Sequence, residues 1–244
     1  MGCSCSKGEK YPIKVPGSNT SIYIRTKEGY SIPVKFYNLS KEFTILYCHS
    51  ASEDFKSACD WVEKTLIPLD LVNVLVFEYF ANTDTSEYIN ESCIYSDCEA
   101  ILWFFTDTLR LSKRKIILYG KCIGAGVGLF LSERYPDIAG LIMQSSLTYS
   151  LRTNYSFKLS FPREFYPTSE VLKKIQCPIM FIHGKSDTVT GMRFIKEYYE
   201  VLRNPNKLFV PIEGSHDLES SNVIQYIKDF LGKNDYKMNP NFIT

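Results

Sequence analysis

The sequence holds no C-x-x-C pair, although it has eight cysteines, and only three histidines, His49, His183 and His216. Structural zinc sites draw on paired Cys and His at short spacing, so a metal site is not expected. An apolar secretory h-region is also missing from the first residues. The thiols are therefore expected to be reduced, as in the cytosol. No apolar run approaches the length of a membrane span. Neither sign of charge dominates: 28 Lys and Arg face 27 Asp and Glu, for a formal net charge of +1. That leaves no basic field to hold a nucleic-acid backbone, and no nucleic-acid partner is expected. The glycine run at 124–128, GAGVG, matches neither the dinucleotide-binding nor the P-loop pattern, so no cofactor is expected either.

What remains is an ordinary globular composition, 45% hydrophobic and 23% charged over 244 residues, enough for one sizeable core. Residues 1–18, with Pro12, Pro16 and Gly17, read as an anchor and linker, 19–232 as one domain and 233–244 as a tail. Three strands are expected near 20–26, 30–37 and 43–48, the first two joined at Lys27-Glu28-Gly29. Ser50 and Glu53 fit a capping box opening a helix near 53–66. Apolar runs at 72–80, 113–120, 139–145, 178–184 and 207–214 read as buried strands. Helices are expected near 90–110, 122–135, 191–203 and 219–232. An antiparallel start followed by strand–helix alternation gives an α/β fold, a mostly parallel sheet with helices on both faces. Residues 145–168 have no period and are placed to form a cap over the C-terminal sheet edge, where ligands bind in such folds.

The stretch ILYGKCIGAGVG carries the chemistry. Gly120, Cys122 and Gly124 have the spacing of a nucleophile elbow, with a thiol where a serine is usual. The two glycines meet the crowding of a strand that turns at once into a helix, and the helix N-terminus favours a thiolate. Partners in the order nucleophile, acid, base follow at strand ends: Asp187 in FIHGKSDTV and His216 in IEGSHDLE. Asp217 is the competing acid. The expected oxyanion donors are the backbone N–H groups of Ile123 and of Ala51, in the loop after the third strand. His49 opens that loop and is expected to hold it. Cys48, Cys59, Cys93, Cys98 and Cys177 are expected to be buried small hydrophobes.

The opening MGCSCSK places Gly2 and Ser6 as N-myristoylation requires, with Cys3 and Cys5 as palmitate acceptors. One acyl chain anchors only marginally and two anchor stably. The expected location is the cytoplasmic face of a plasma or internal membrane.

Over about 20–232 the chain resembles the α/β-hydrolases, and more narrowly the α/β-hydrolase-domain-containing protein 17 family. The resemblance rests on ILYCHSAS, IILYGKCIG, SSLT, CPIMFIHGKSD and IEGSHDLE. It implies nucleophile Cys122, acid Asp187 and base His216, and removal of palmitate from S-acylated membrane proteins. Three positions and two stretches depart from the family, one of them MGCSCSK, which adds myristate to the usual cysteine cluster. Cys122 stands for serine, Lys121 for glutamine and Ala51 for asparagine, and EYFANTDT replaces a glycine-rich stretch. Three functions stay open: a membrane-anchored cysteine thioesterase or esterase, a pseudo-hydrolase that binds acylated proteins or lipids, and a small-molecule ester or lactone hydrolase. Retained Asp187 and His216 speak against the second, and the lipid anchor against the third. The oligomeric state is not legible.

Overall fold

The computed structural model describes residues 20–26, 31–79, 91–146 and 168–232. The expected anchor with Gly2, Cys3 and Cys5, the turn at 27–29, nearly all of the 145–168 cap and the 233–244 tail lie outside them. Eight strands form one sheet: β1 Thr20–Arg25, β2 Ser31–Tyr37, β3 Thr44–Cys48, β4 Asn73–Phe77, β5 Ile116–Lys121, β6 Gly140–Gln144, β7 Ile179–Gly184 and β8 Lys207–Ile212. Their order is β1-β2-β4-β3-β5-β6-β7-β8. β1 and β2, and β2 and β4, pair antiparallel, and the rest pair parallel.

The five central strands, β3 to β7, are buried on both faces and predominantly apolar. All five residues of β3, β4 and β6 and all six of β5 and β7 are buried. Alternation then assigns the faces. Ile45 and Tyr47 point into a layer with Ala58 and Val62 of α1 (Phe55–Thr65) and Val223, Ile227 and Phe230 of α6 (Ser220–Gly232). Leu46 and Cys48 point the other way. There they meet α2 (Glu91–Trp103), α3 (Gly124–Arg134), α4 (Thr168–Leu172) and α5 (Met192–Val201).

Three expectations need correction. α1 starts at Phe55 rather than 53, and its cap is Asp54, whose carboxylate accepts the Ser57 N–H, not Ser50. The helix after β4 ends as α-helix at Trp103 and closes with a π turn over Phe104–Thr108. α4 was not expected at all, since five residues carry too little periodicity to register. Cys48, Cys59, Cys98 and Cys177 are free and buried; the Cys93 side chain is outside the description.

Candidate active site

Cys122 follows directly on β5, and α3 begins two residues later. Its φ of 56° lies in the left-handed region, uncommon for a residue with a side chain. The strain is held by contacts on both sides. The Cys122 N–H donates to the Gln144 carbonyl at 3.0 Å. A methyl group at Gly120 would overlap the Gly124 carbonyl, and one at Gly124 would overlap the Cys48 carbonyl at the end of β3. The two glycines thus let the elbow fold onto itself and onto the neighbouring strand, and leave the partly exposed Cys122 at the C-terminal edge of the sheet.

The loops after β7 and β8 supply the other groups. They meet at Gly184, where any side chain would run into the Gly214 and Ser215 carbonyls. His216 Nδ1 lies 2.8 Å from Asp187 Oδ2, and His216 Nε2 lies 3.3 Å from Cys122 Sγ. Asp187 is fixed through its second oxygen, Oδ1, which accepts the Val189 and Thr190 N–H groups, both at 2.8 Å. Its carboxylate is fully buried, and that alone raises its pKa. The hydrogen bonds from His216 and the Thr190 N–H outweigh burial and leave the carboxyl below its ordinary value. Burial acts against charge on His216 as well. Hydrogen bonds to Asp187 and Cys122 overcome it, and the imidazole is pushed up to about 10. The raised value favours the protonated ring at neutral pH, with Nε2 toward sulfur and Nδ1 toward the carboxylate. Asp217, next in sequence, is exposed.

Two residues assigned no role from sequence tie this half together. His183, wholly buried on β7, donates from Nε2 to the Thr190 carbonyl at 2.9 Å and stands 3.4 Å from Asp187 Oδ2. Burial lowers its pKa, so it sits neutral behind Asp187. Ser145, with φ 46°, donates from Oγ to the His216 carbonyl at 2.6 Å and from N–H to the Ile182 carbonyl. The spacing His183-x-x-x-Asp187 was a readable signal for the first. A serine after a strand carries none.

On the opposite side of the elbow, Ala51 lies partly buried in the loop after β3, packed against the same core layer as Cys122. Ile123, next to Cys122, is buried. Among the described residues neither the Ala51 nor the Ile123 N–H has an acceptor. His49 is buried and bonds its own loop: Nδ1 donates to the Ser50 carbonyl at 2.8 Å, and Nε2 is 3.1 Å from Glu78 Oε1. Its backbone carbonyl accepts the Tyr79 hydroxyl at 3.0 Å. Among the described residues no cluster of three or more His, Cys, Asp or Glu is arranged to hold a metal, and no helix is long and apolar enough to cross a membrane.

This geometry can be set beside known proteins. No family model matches the chain. It is similar to the α/β-hydrolase domain-containing protein aho-3 of Caenorhabditis elegans, 27% identical over 74% of this chain and 54% of that one. It is also similar to the domain-containing protein 17C of Xenopus tropicalis, 24% identical over 85% of this chain and 68% of the relative. The chain thus spans about half the length of the worm protein and two thirds of the frog one. Among solved structures, the Pyrococcus furiosus esterase Pf2001 superposes with a TM-score of 0.69. It is 19% identical and covers 88% of this chain and 90% of its own.

Proposed function

From a chain with the α/β-hydrolase fold, similar to the domain-containing protein 17 group, we propose a cysteine-dependent thioesterase that removes fatty acyl groups from S-acylated proteins. The observation that carries the reading is the continuous line Cys122 Sγ–His216–Asp187, with separations of 3.3 and 2.8 Å. Thiols attack as thiolates, and an imidazolium at hydrogen-bond distance is the counter-ion a thiolate needs.

The steps follow from the protonation state. The Cys122 thiolate adds to the thioester carbonyl, and the oxyanion so formed is met by the Ile123 and Ala51 N–H groups. Collapse breaks the bond to the substrate sulfur, which leaves with the proton of His216. His216, now neutral, takes a proton from water. The hydroxide adds to the Cys122 acyl carbonyl, and the second collapse returns the thiolate and releases the acid. Cys122 and His216 are then as they began. Asp187 keeps Nδ1 protonated throughout and stabilises the imidazolium. The first exchange is nearly isoenergetic for a thioester, because one thioester replaces another. An oxygen ester would have to expel a poorer leaving group.

The Gly2, Cys3 and Cys5 motif supports a membrane address at a cytoplasmic face, close to acylated substrates. Steady-state hydrolysis of thioesters of graded chain length tests the assignment. Turnover that rises with chain length and vanishes in Cys122→Ala and His216→Ala is expected. Folded protein that takes up acyl chains but turns over none would replace the enzyme with a lipid-binding pseudo-hydrolase.

A further inference from the structure

Lys121, the residue before the nucleophile, is almost fully buried, an unusual place for an ammonium group. Its Nζ donates to Glu53 Oε1 at 2.8 Å, and the two side chains are only 8% and 10% exposed. Glu53 stands in the loop that carries Ala51. Its second oxygen, Oε2, accepts the Ser50 N–H at 2.9 Å, and the Tyr47 hydroxyl donates to the same carboxylate at 3.3 Å. We infer that the Lys121–Glu53 ion pair is a positioning device that sets the Ser50–Ala51 peptide as an oxyanion donor, an inference that rests on the thioesterase reading above.

One peptide plane links the ion pair to the donor. The Ser50 carbonyl and the Ala51 N–H belong to one trans unit and point in opposite directions. Two donors hold that carbonyl, the Glu53 N–H at 3.2 Å and His49 Nδ1 at 2.8 Å. Fixing it fixes where the Ala51 N–H points. The Glu53 side chain closes the turn from the other end by holding the Ser50 N–H, while Ser52 N–H donates to Ser50 Oγ at 3.2 Å. Every N–H from Ser50 to Glu53 then has an acceptor in the turn except that of Ala51.

A buried carboxylate left alone would be neutralised or drawn toward water. Lys121 supplies the opposing charge, and it does so from the residue next to Cys122. The strand that presents the nucleophile therefore also anchors the loop that would receive the oxyanion, across 68 positions of sequence. Displacements of about 1 Å at such donors cost about 100-fold in rate, so an anchor of this kind has a kinetic consequence beyond folding.

Two reactions of Cys122 separate positioning from general structural support. Acylation by a thioester builds an oxyanion. Alkylation by iodoacetamide displaces iodide at a saturated carbon and builds none. Both are read by the mass of the peptide carrying Cys122, in wild type, Glu53→Ala, Lys121→Met and the double variant Glu53→Gln/Lys121→Gln. The expected result is an acylation rate lowered about 10- to 100-fold in each single variant, with alkylation within about twofold of wild type. The double variant, whose amides can pair, should return to within about fivefold. Equal losses in both reactions, or no loss in acylation, would overturn the inference. Amide hydrogen exchange gives a readout independent of acyl transfer: Ser50 should lose protection in Glu53→Ala. Should wild-type protein take no acyl group, the thioesterase reading fails by itself, and unchanged exchange at Ser50 would then overturn the positioning role as well.

Discussion

The two sides of Cys122 are built differently. On one side, Asp187 and His216 sit in neighbouring loops after β7 and β8, Asp187 tied by N–H groups of its own loop and the His216 carbonyl held by Ser145, just after β6. Asp187 bonds Val189 and Thr190, and Gly184 brings the loops into contact. On the other side, the Ala51 loop is fixed by a buried ion pair that spans most of the first half of the chain. Hydrogen bonds from backbone N–H groups and the Ser145 hydroxyl hold the Asp187–His216 half, and a buried ion pair reaches the Ala51 half. That pair ties the strand ahead of Cys122 to the Ala51 loop.

The largest effect that separates the halves is expected from Asp187→Asn, which should lower acylation by about 10²- to 10⁴-fold through loss of the imidazolium's partner. It should also move the high-pH limb of the rate. In wild type, proton donation by His216 is expected to fail as pH rises through about 10. Without the carboxylate that limb should shift toward the ordinary imidazole value of 6.5. The same sign governs stability. The folded imidazole holds its proton more tightly than the unfolded one, so its contribution is full below pH 6.5 and is lost as pH rises through about 10. Thermal unfolding across that window, in wild type and in Asp187→Asn, reads it.

Ala51→Pro attacks the opposite half by deleting the N–H itself. Acylation is expected to fall by about 100-fold, while alkylation of Cys122 and the pH limb stay in place. A shifted limb would mean that the two halves are not separable. The smallest effect belongs to Asp217→Asn, expected within about twofold by steady-state assay, because that side chain is exposed to solvent.

The fold was legible because each buried strand announces itself as a short unbroken apolar run, as in VNVLVF and IILYG, and because the intervening helices carry apolar residues at helical spacing. Cys122, Asp187 and His216 were legible as a group because order along the chain and position at strand ends are both properties of sequence. Lys121–Glu53 was not. Ser50 and Glu53 looked like a helix cap, and their hydrogen bond does form, but it shapes the loop ahead of the helix rather than its first turn. Nothing in a sequence marks which distant lysine will neutralise a buried glutamate. Ser145 escaped for the same reason, since its role depends on which loop lies across the sheet edge from it.

The central claim is that Cys122 is a working nucleophile. Rapid mixing of the protein with a long-chain acyl thioester, quenching in acid and mapping of the acylated peptide tests it most directly. The account predicts a burst approaching one acyl group per chain, carried on Cys122, that decays as free acid appears and is absent in His216→Ala. Acid released with no acyl group on Cys122, or at an undiminished rate in Cys122→Ala, would contradict it.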